Sequence, residues 1–227
     1  MEINWNKYFD HIFILSKCSN FERREKLNQE LKRVGLYDYV TYLYQPDSKL
    51  IAYRNSSLPE KVYRATYAHY SCIKMCYELK YNHILILEDD ILFIKDINIL
   101  YQELKDFYNK RDNLDIYLFE YICKDDNIYP ISNPYSLLDD GCTYMNRHGM
   151  EYLIYCLEHF KDLQSDMFYY TNLDIYFDIY YNYLLNNKLY EIYIPKETNL
   201  LPITIDYCPK HIVIQTQHKK YYEKLYN

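Results

Sequence analysis

Three consecutive carboxylates, Glu88, Asp89 and Asp90, stand between two apolar runs in the stretch HILILEDDILFI, residues 83–94. The apolar flanks predict a buried strand that ends at the acids. Along an extended chain side chains alternate, so Glu88 and Asp90 should face one side, ~7 Å apart along the backbone, with Asp89 facing the other. Two ionised carboxylates that close in a partly desolvated site disfavour each other unless a cation stands beside them. Hard divalent cations such as Mn²⁺ or Mg²⁺ take oxygen ligands. They commonly use one or two protein carboxylates and fill the remaining positions with substrate phosphate oxygens. An acid-x-acid at a strand end therefore fits a metal-diphosphate site. The plainer alternative is a strand that has ended in solvated acids.

The rest of the chain limits how a phosphate could be held. Glycine occurs only at Gly35, Gly141 and Gly149, so neither a G-x-G-x-x-G turn nor a P-loop can be built. Phosphates would have to be held by metal and by Arg or Lys. The net charge of −6 argues against a nucleic-acid-binding face.

The elements that must position the acids follow from periodicity. Strands are predicted at His11–Leu15, in DYVTYLY, at HILIL, in DIYLFEY, in GCTYMN and in YEIYI. Helices are predicted in FERREKLNQELKRVG, with Gly35 as its C-terminal stop, in PEKVYRATYAHYSCIKMCYELK, in DINILYQELKDFYNKR begun by Asp96, in RHGMEYLIYCLEHF and in NLDIYFDIYYNYLLNN. Alternating strands and helices imply an α/β fold with a mostly parallel sheet flanked by helices. In such sheets ligands sit beyond the carboxyl ends of the strands, which is where the three acids fall.

The length of 227 residues and 49% hydrophobic content suit one domain over 1–227, with a basic, aromatic tail over about 209–227. The 32 tyrosines fill both core edges and surface, an expected outcome of biased composition. Seven scattered cysteines with no C-x-x-C pair read as reduced buried thiols. The opening MEINWNKYFDH lacks a basic stretch followed by an apolar run, so no signal peptide is expected and a cytoplasmic location is. No apolar run approaches the ~20 residues that span a bilayer. The tail is read as a solvated segment, with peripheral contact to an anionic membrane surface as the alternative.

Four pieces of the sequence, in order, resemble glycosyltransferase family 25, the lipooligosaccharide galactosyltransferases and their collagen-modifying relatives. FILSKCSNFERREKL is similar to the family's first strand, turn and arginine-bearing helix start, with Arg23 at the arginine. YRATYAHYSCIKMCYEL is similar to its Ser-His helix, with Ala68 and His69 at that pair. HILILEDDILF matches its strand and acidic motif, and DDGCTYMNRHGMEYLI followed by NLDIYFD resembles its later strand-helix block. The resemblance spans roughly residues 10 to 195. The chain departs from the pattern at Ser16, where the family has asparagine, and at Ala68, where it has serine; Gln215 and Gln217 are candidates for a family glutamine.

The resemblance implies a GT-A-type fold, a single Rossmann-like α/β domain with a metal-binding acid-x-acid motif. It also implies inverting transfer of a hexose, usually galactose, from a UDP-sugar to an acceptor hydroxyl. Asp90 is then the direct metal ligand, with Mn²⁺ or Mg²⁺ as the cofactor. Glu88 would reach the metal through water or hold the ribose, and Asp89 would orient the loop or touch the sugar. A metal bridging both phosphates neutralises charge on the departing UDP. Inversion needs a base on the far side of the sugar from UDP, so it should lie outside the triplet. Asp174, at a helix start resembling the family's aspartate, is the leading candidate; the alternative is a first-turn acid stabilised by the helix dipole. Asp178 reads as solvated or structural, and Asp140 and Asp139 come next as bases. Arg23, and with it Arg24, would meet uridine or diphosphate at a helix amino end, or else pair with Glu22 and Glu25. His69 is a donor contact or a satisfied core histidine. His218, ahead of His211, is the candidate third metal ligand. Ser16 completes the donor-binding set.

The expected partners are a UDP-hexose and an oligosaccharide or glycolipid acceptor such as lipooligosaccharide. The alternatives are a non-catalytic glycan- or nucleotide-binding module of the same fold, and a sugar-nucleotide pyrophosphorylase, which normally needs a glycine-rich loop this chain lacks.

Overall fold

The computed structural model describes residues 3–45, 60–119, 122–123, 137–138, 141–159, 205–208 and 212–216. Its centre is a six-stranded mixed sheet. The strands among the described residues are β1 (His11–Lys17), β2 (Val40–Gln45), β3 (His83–Glu88), β4 (Ile91–Phe93), β5 (Ile116–Leu118), β6 (Ile122–Cys123), β7 (Leu137–Leu138), β8 (Cys142–Asn146), β9 (Ile205–Tyr207) and β10 (Val213–Gln215). The large sheet runs β2-β1-β3-β8-β5-β9, while β4 pairs with β10 and β6 with β7 in two-stranded ribbons. Strand β1 is parallel to both β2 and β3, and β5 to β9. Strand β8 runs antiparallel between β3 and β5.

Among the described residues four α-helices cover the sheet: α1 (Phe21–Arg33), α2 (Glu60–Glu78), α3 (Ile97–Lys110) and α4 (Arg147–His159). The pleat divides the core into two layers. Ile12, Ile14, Leu85 and Leu87 face Leu27 and Leu31 of α1, Leu104 and Phe107 of α3 and the amino-terminal Trp5 and Phe9. Phe13, Leu15, Ile84 and Ile86 face Cys72 and Cys76 of α2 and Met150 and Leu153 of α4. Successive residues of β1 and β3 alternate between the two layers, so both strands are buried on both faces and read as unbroken apolar runs. The arrangement is the expected α/β one, helices on both faces of a sheet in which parallel ladders outnumber antiparallel ones.

The ends of α1 carry the detail that matters for the site. At its carboxyl end Leu36 N donates to Leu31 O (2.8 Å) and Gly35 N to Lys32 O (3.2 Å), and Gly35 sits at φ +68°. This is a Schellman motif, which needs a left-handed residue at that position. At its amino end the cap residue Asn20 makes no side-chain capping bond.

One expectation changes. The segment read as a tail contributes β10, which pairs antiparallel with β4 immediately after the acidic triplet. The predicted helix in NLDIYFDIYYNYLLNN and strand in YEIYI lie outside the described residues. No helix among the described residues is long and apolar enough to cross a membrane.

Candidate functional site

The site forms where β1, β2 and β3 end. Strand β3 stops at Glu88, and Asp89 and Asp90 make the turn into β4. The alternation expected for an extended chain therefore does not continue past Glu88. Asp89 and Asp90 converge on one arginine nitrogen, while Glu88 turns to a different partner. Arg23 Nη1 lies 3.3 Å from Asp89 Oδ1 and 3.1 Å from Asp90 Oδ2. Glu88 Oε1 lies 3.2 Å from His69 Nε2, a contact in which the Nε2–H tautomer donates to the carboxylate.

Asp89 is the structural centre of this cluster. Its Oδ2 accepts from Ser16 Oγ (2.6 Å) and from Asn20 Nδ2 (2.8 Å). The Asn20 side chain is oriented by this Nδ2–H bond to Asp89 and makes no capping bond to α1. Ser16 is itself buried and accepts from Arg24 Nη1 at 3.1 Å. Asp89 thus ties the end of β1 and the β1–α1 turn to the acidic turn.

Arg24 differs from the expectation of a phosphate contact or a pair with Glu22 and Glu25. It is nearly buried, and its guanidinium donates to the carbonyls of Lys17 and Cys18. The same plane lies between the rings of Phe21 (4.6 Å) and Tyr44 (5.1 Å). Such a stack uses the flat face of arginine while the fork serves the backbone. Nearby, burial and the neighbouring Tyr44 push the Tyr42 phenol up to about 12, with Asp89 adding to the rise and Arg24 opposing it. Tyr42 therefore stays protonated, and its hydroxyl donates to Asn28 Oδ1 at 2.8 Å.

Two cavities open beside these groups. A polar one of about 150 Å³ is walled by Asn20, Arg23, His69, Glu88 and Asp89 together with Lys17. A larger one of about 400 Å³ has an apolar floor that includes Cys72 and Met75, with Tyr44, Tyr67 and Arg64 on its walls. The two share Leu15 and Gln45. Their combined size suits a small-molecule ligand with one charged and one flat, apolar portion.

Five of the residues singled out from sequence, Ser16, Arg23, His69, Glu88 and Asp89, line the polar cavity, and Asp90 joins them through Arg23. Asp140, Asp174 and His218 lie outside the described residues, as do Asp139, Asp178 and His211. Asn20, Gln45, Tyr44 and Tyr67 were not read as site residues. Asn20 carried a signal, its place as a helix cap; the others are brought in only by the path of β2 and α2. Thr216 N donates to Asp90 O at 2.6 Å, so the carboxyl-terminal segment is bound to the acidic turn just before Gln217 and His218 in sequence.

Glu88 and Asp90 are the described residues whose carboxylates would meet a hard divalent ion. They offer carboxylate oxygens at a point where the fold already places a cationic nitrogen between two aspartates. Among the described residues no group of three or more His, Cys, Asp or Glu side chains converges as a metal site. An ion there would complete its coordination with ligand oxygens and water.

No curated protein matches the chain. Among solved structures it is similar to a glycosyltransferase involved in glycosylation of the major capsid of PBCV-1, at 12% identity over 96% of this chain and 100% of that one, with a TM-score of 0.44. It is also similar to the apo form of mouse xyloside xylosyltransferase 1, at 12% identity over 87% of this chain and 96% of that one, with a TM-score of 0.39. The sequence model of glycosyltransferase family 25, described as LPS biosynthesis protein, matches residues 47–171. That span contains His69, Glu88, Asp89, Asp90 and Asp140, and leaves Ser16, Arg23, Asp174 and His218 outside it. With more than half of its length matched, the chain belongs to glycosyltransferase family 25.

Proposed function

We propose that the chain is an inverting, metal-dependent glycosyltransferase that moves a hexose, galactose first, from a UDP-sugar to a hydroxyl of a glycan acceptor such as lipooligosaccharide. The observation that carries the reading is the placement of Arg23 between Asp89 and Asp90 on the rim of a polar cavity. A site that gathers a cation and carboxylates around a pocket of this size suits a diphosphate with its counter-ion.

In this reading the diphosphate lies in the polar cavity against Arg23 and Lys17. The nucleoside lies in the larger one, with its base against Tyr44 or Tyr67 and the apolar floor. Asp90, with Glu88 and His218, would hold Mn²⁺ or Mg²⁺, which when bound would supply electrophilic stabilisation of charge on the departing diphosphate. His69 fixes the carboxylate of Glu88, and Asp89 fixes the turn that carries Asp90. Asp174 takes the acceptor proton as the acceptor oxygen attacks the anomeric carbon, with Asp140 as the second candidate base. A cytoplasmic site of action, with peripheral contact at the membrane face, goes with a glycolipid acceptor.

Thermal unfolding with UDP alone, Mn²⁺ alone and both tests the reading in wild type and Asp90→Asn. A ligand at ~100 times its dissociation constant adds ~2.7 kcal/mol, or several degrees for a chain of this size. A shift that requires both ligands and disappears in Asp90→Asn is expected, followed by UDP release from UDP-galactose. Binding without release from any UDP-hexose would favour a non-catalytic nucleotide-binding module, and no shift at all would sink the donor assignment.

A further inference from the structure

Arg23 occupies an unusual place for a cation. It stands in the first turn of α1, where the helix dipole favours anions and disfavours positive side chains. What holds it there is the pair of aspartates. Their side chains are 6% and 5% exposed, whereas that of Arg23 is 51% exposed. Asp89 is fixed from behind by Ser16 and Asn20 and Asp90 is buried beside it, so the half-exposed arginine is the partner with room to move. The same side chain lines the polar cavity, where an anionic ligand would compete with Asp90 for its guanidinium.

We propose that Arg23 is an internal counter-ion that competes with the divalent metal for Asp90 and passes to the nucleotide diphosphate when both ligands bind. The proposal rests on the metal-diphosphate reading above and adds a coupling to it. A divalent ion arriving alone meets a positive charge already on Asp90. A diphosphate arriving alone meets the carboxylates of Glu88, Asp89 and Asp90. Arriving together, the diphosphate draws the guanidinium off Asp90 through charge-assisted hydrogen bonds, and the ion separates the carboxylates from the diphosphate. Each ligand removes the repulsion that opposes the other. By linkage, metal must then raise nucleotide affinity by the same factor that nucleotide raises metal affinity.

The experiment is titration of Mn²⁺, read from the electron paramagnetic resonance of the free ion, with and without UDP, on wild type, Arg23→Gln and Arg23→Lys. Wild type should bind Mn²⁺ weakly alone and about tenfold more tightly with UDP. Arg23→Gln should bind Mn²⁺ alone about five- to tenfold more tightly than wild type, and UDP should add much less. Arg23→Lys keeps the charge, so its affinity for Mn²⁺ alone should stay within about twofold of wild type. If Arg23→Gln binds Mn²⁺ no more tightly than wild type, or if Arg23→Lys tightens binding as the glutamine does, competition by charge is overturned while the metal-diphosphate reading stands. If Mn²⁺ binds none of the three proteins, with or without UDP, both are overturned together.

Discussion

Ser16 and Asp89 stand 73 positions apart in the chain, and the Ser16 hydroxyl donates to Asp89 Oδ2 at 2.6 Å in the interior. This bond joins the carboxyl end of β1 to the turn after β3. A hydrogen bond to a charged group contributes roughly 1.5–3 kcal/mol. Ser16→Ala should therefore lower the free energy of unfolding by about that amount, measured by urea denaturation. Ser16→Thr, which keeps the hydroxyl, should lose less unless its added methyl clashes in the buried site. An alanine variant as stable as wild type would show that Asp89 does not depend on this donor.

Much of this frame was legible in the sequence, and the reasons for success and failure are physical. The unbroken apolar run at Ile84–Leu87 announced a strand buried on both faces, and the acids after it marked its carboxyl end. Gly35 announced the end of α1. The side-chain directions beyond Glu88 were not legible, because strand alternation holds only while the chain stays extended, and the turn begins at Asp89. Strand β10 was missed because it is three residues long and is stabilised by β4, more than a hundred positions earlier. The insertion of antiparallel β8 between β3 and β5 is likewise a long-range choice that local pattern does not encode. The role of Arg24 depends on Tyr44 arriving from another strand.

Gly149 lets the first turn of α4 pack closely on the chain entering β5. A Cβ there would fall 2.5 Å from the backbone oxygen of Asp115 and 3.1 Å from a side-chain carbon of Ile116. Alanine would gain up to ~1 kcal/mol of helix propensity, but relieving an overpacked contact costs typically ~1–3 kcal/mol. The obstacle is backbone, which cannot rotate away. Gly149→Ala should therefore be destabilising in urea, by a net ~1–2 kcal/mol. A stabilised variant would mean that α4 can retreat from Asp115 freely.

Cys72 and Cys76 lie on one face of α2, both buried, and Cys72 also borders the larger cavity. Its hydrogen bond with Cys76, and then burial, push the Cys72 thiol well above the ordinary range. The reactive species is the thiolate, so iodoacetamide at neutral pH should label exposed Cys18 first and leave Cys72 and Cys76 unlabelled until the protein is unfolded. Mass spectrometry of the timed reaction reads this directly. Labelling of Cys72 at the rate of Cys18 in the folded protein would overturn the packing described for α2.

The histidines at the amino ends of the strands set the acid limit of the fold. His11 is pushed down by burial, and its Nε2 is 2.9 Å from Thr41 Oγ1. His83 is pushed down by burial and then by Arg111, against an upward pull from Asp10 and Asp112, and its Nδ1 is 2.8 Å from Tyr144 Oη. A histidine whose folded pKa lies below its unfolded value binds fewer protons in the folded state. Its contribution is fully present above the unfolded pKa of ~6.5 and is lost as pH falls through the folded value. The melting temperature should accordingly hold steady from pH 8 to about 6.5 and decline below it. His83→Gln removes one titrating group and should flatten that decline while lowering the plateau. A melting temperature that rises on acidification from pH 6.5 to 5, or a slope unchanged by His83→Gln, would show that His83 does not titrate against folding.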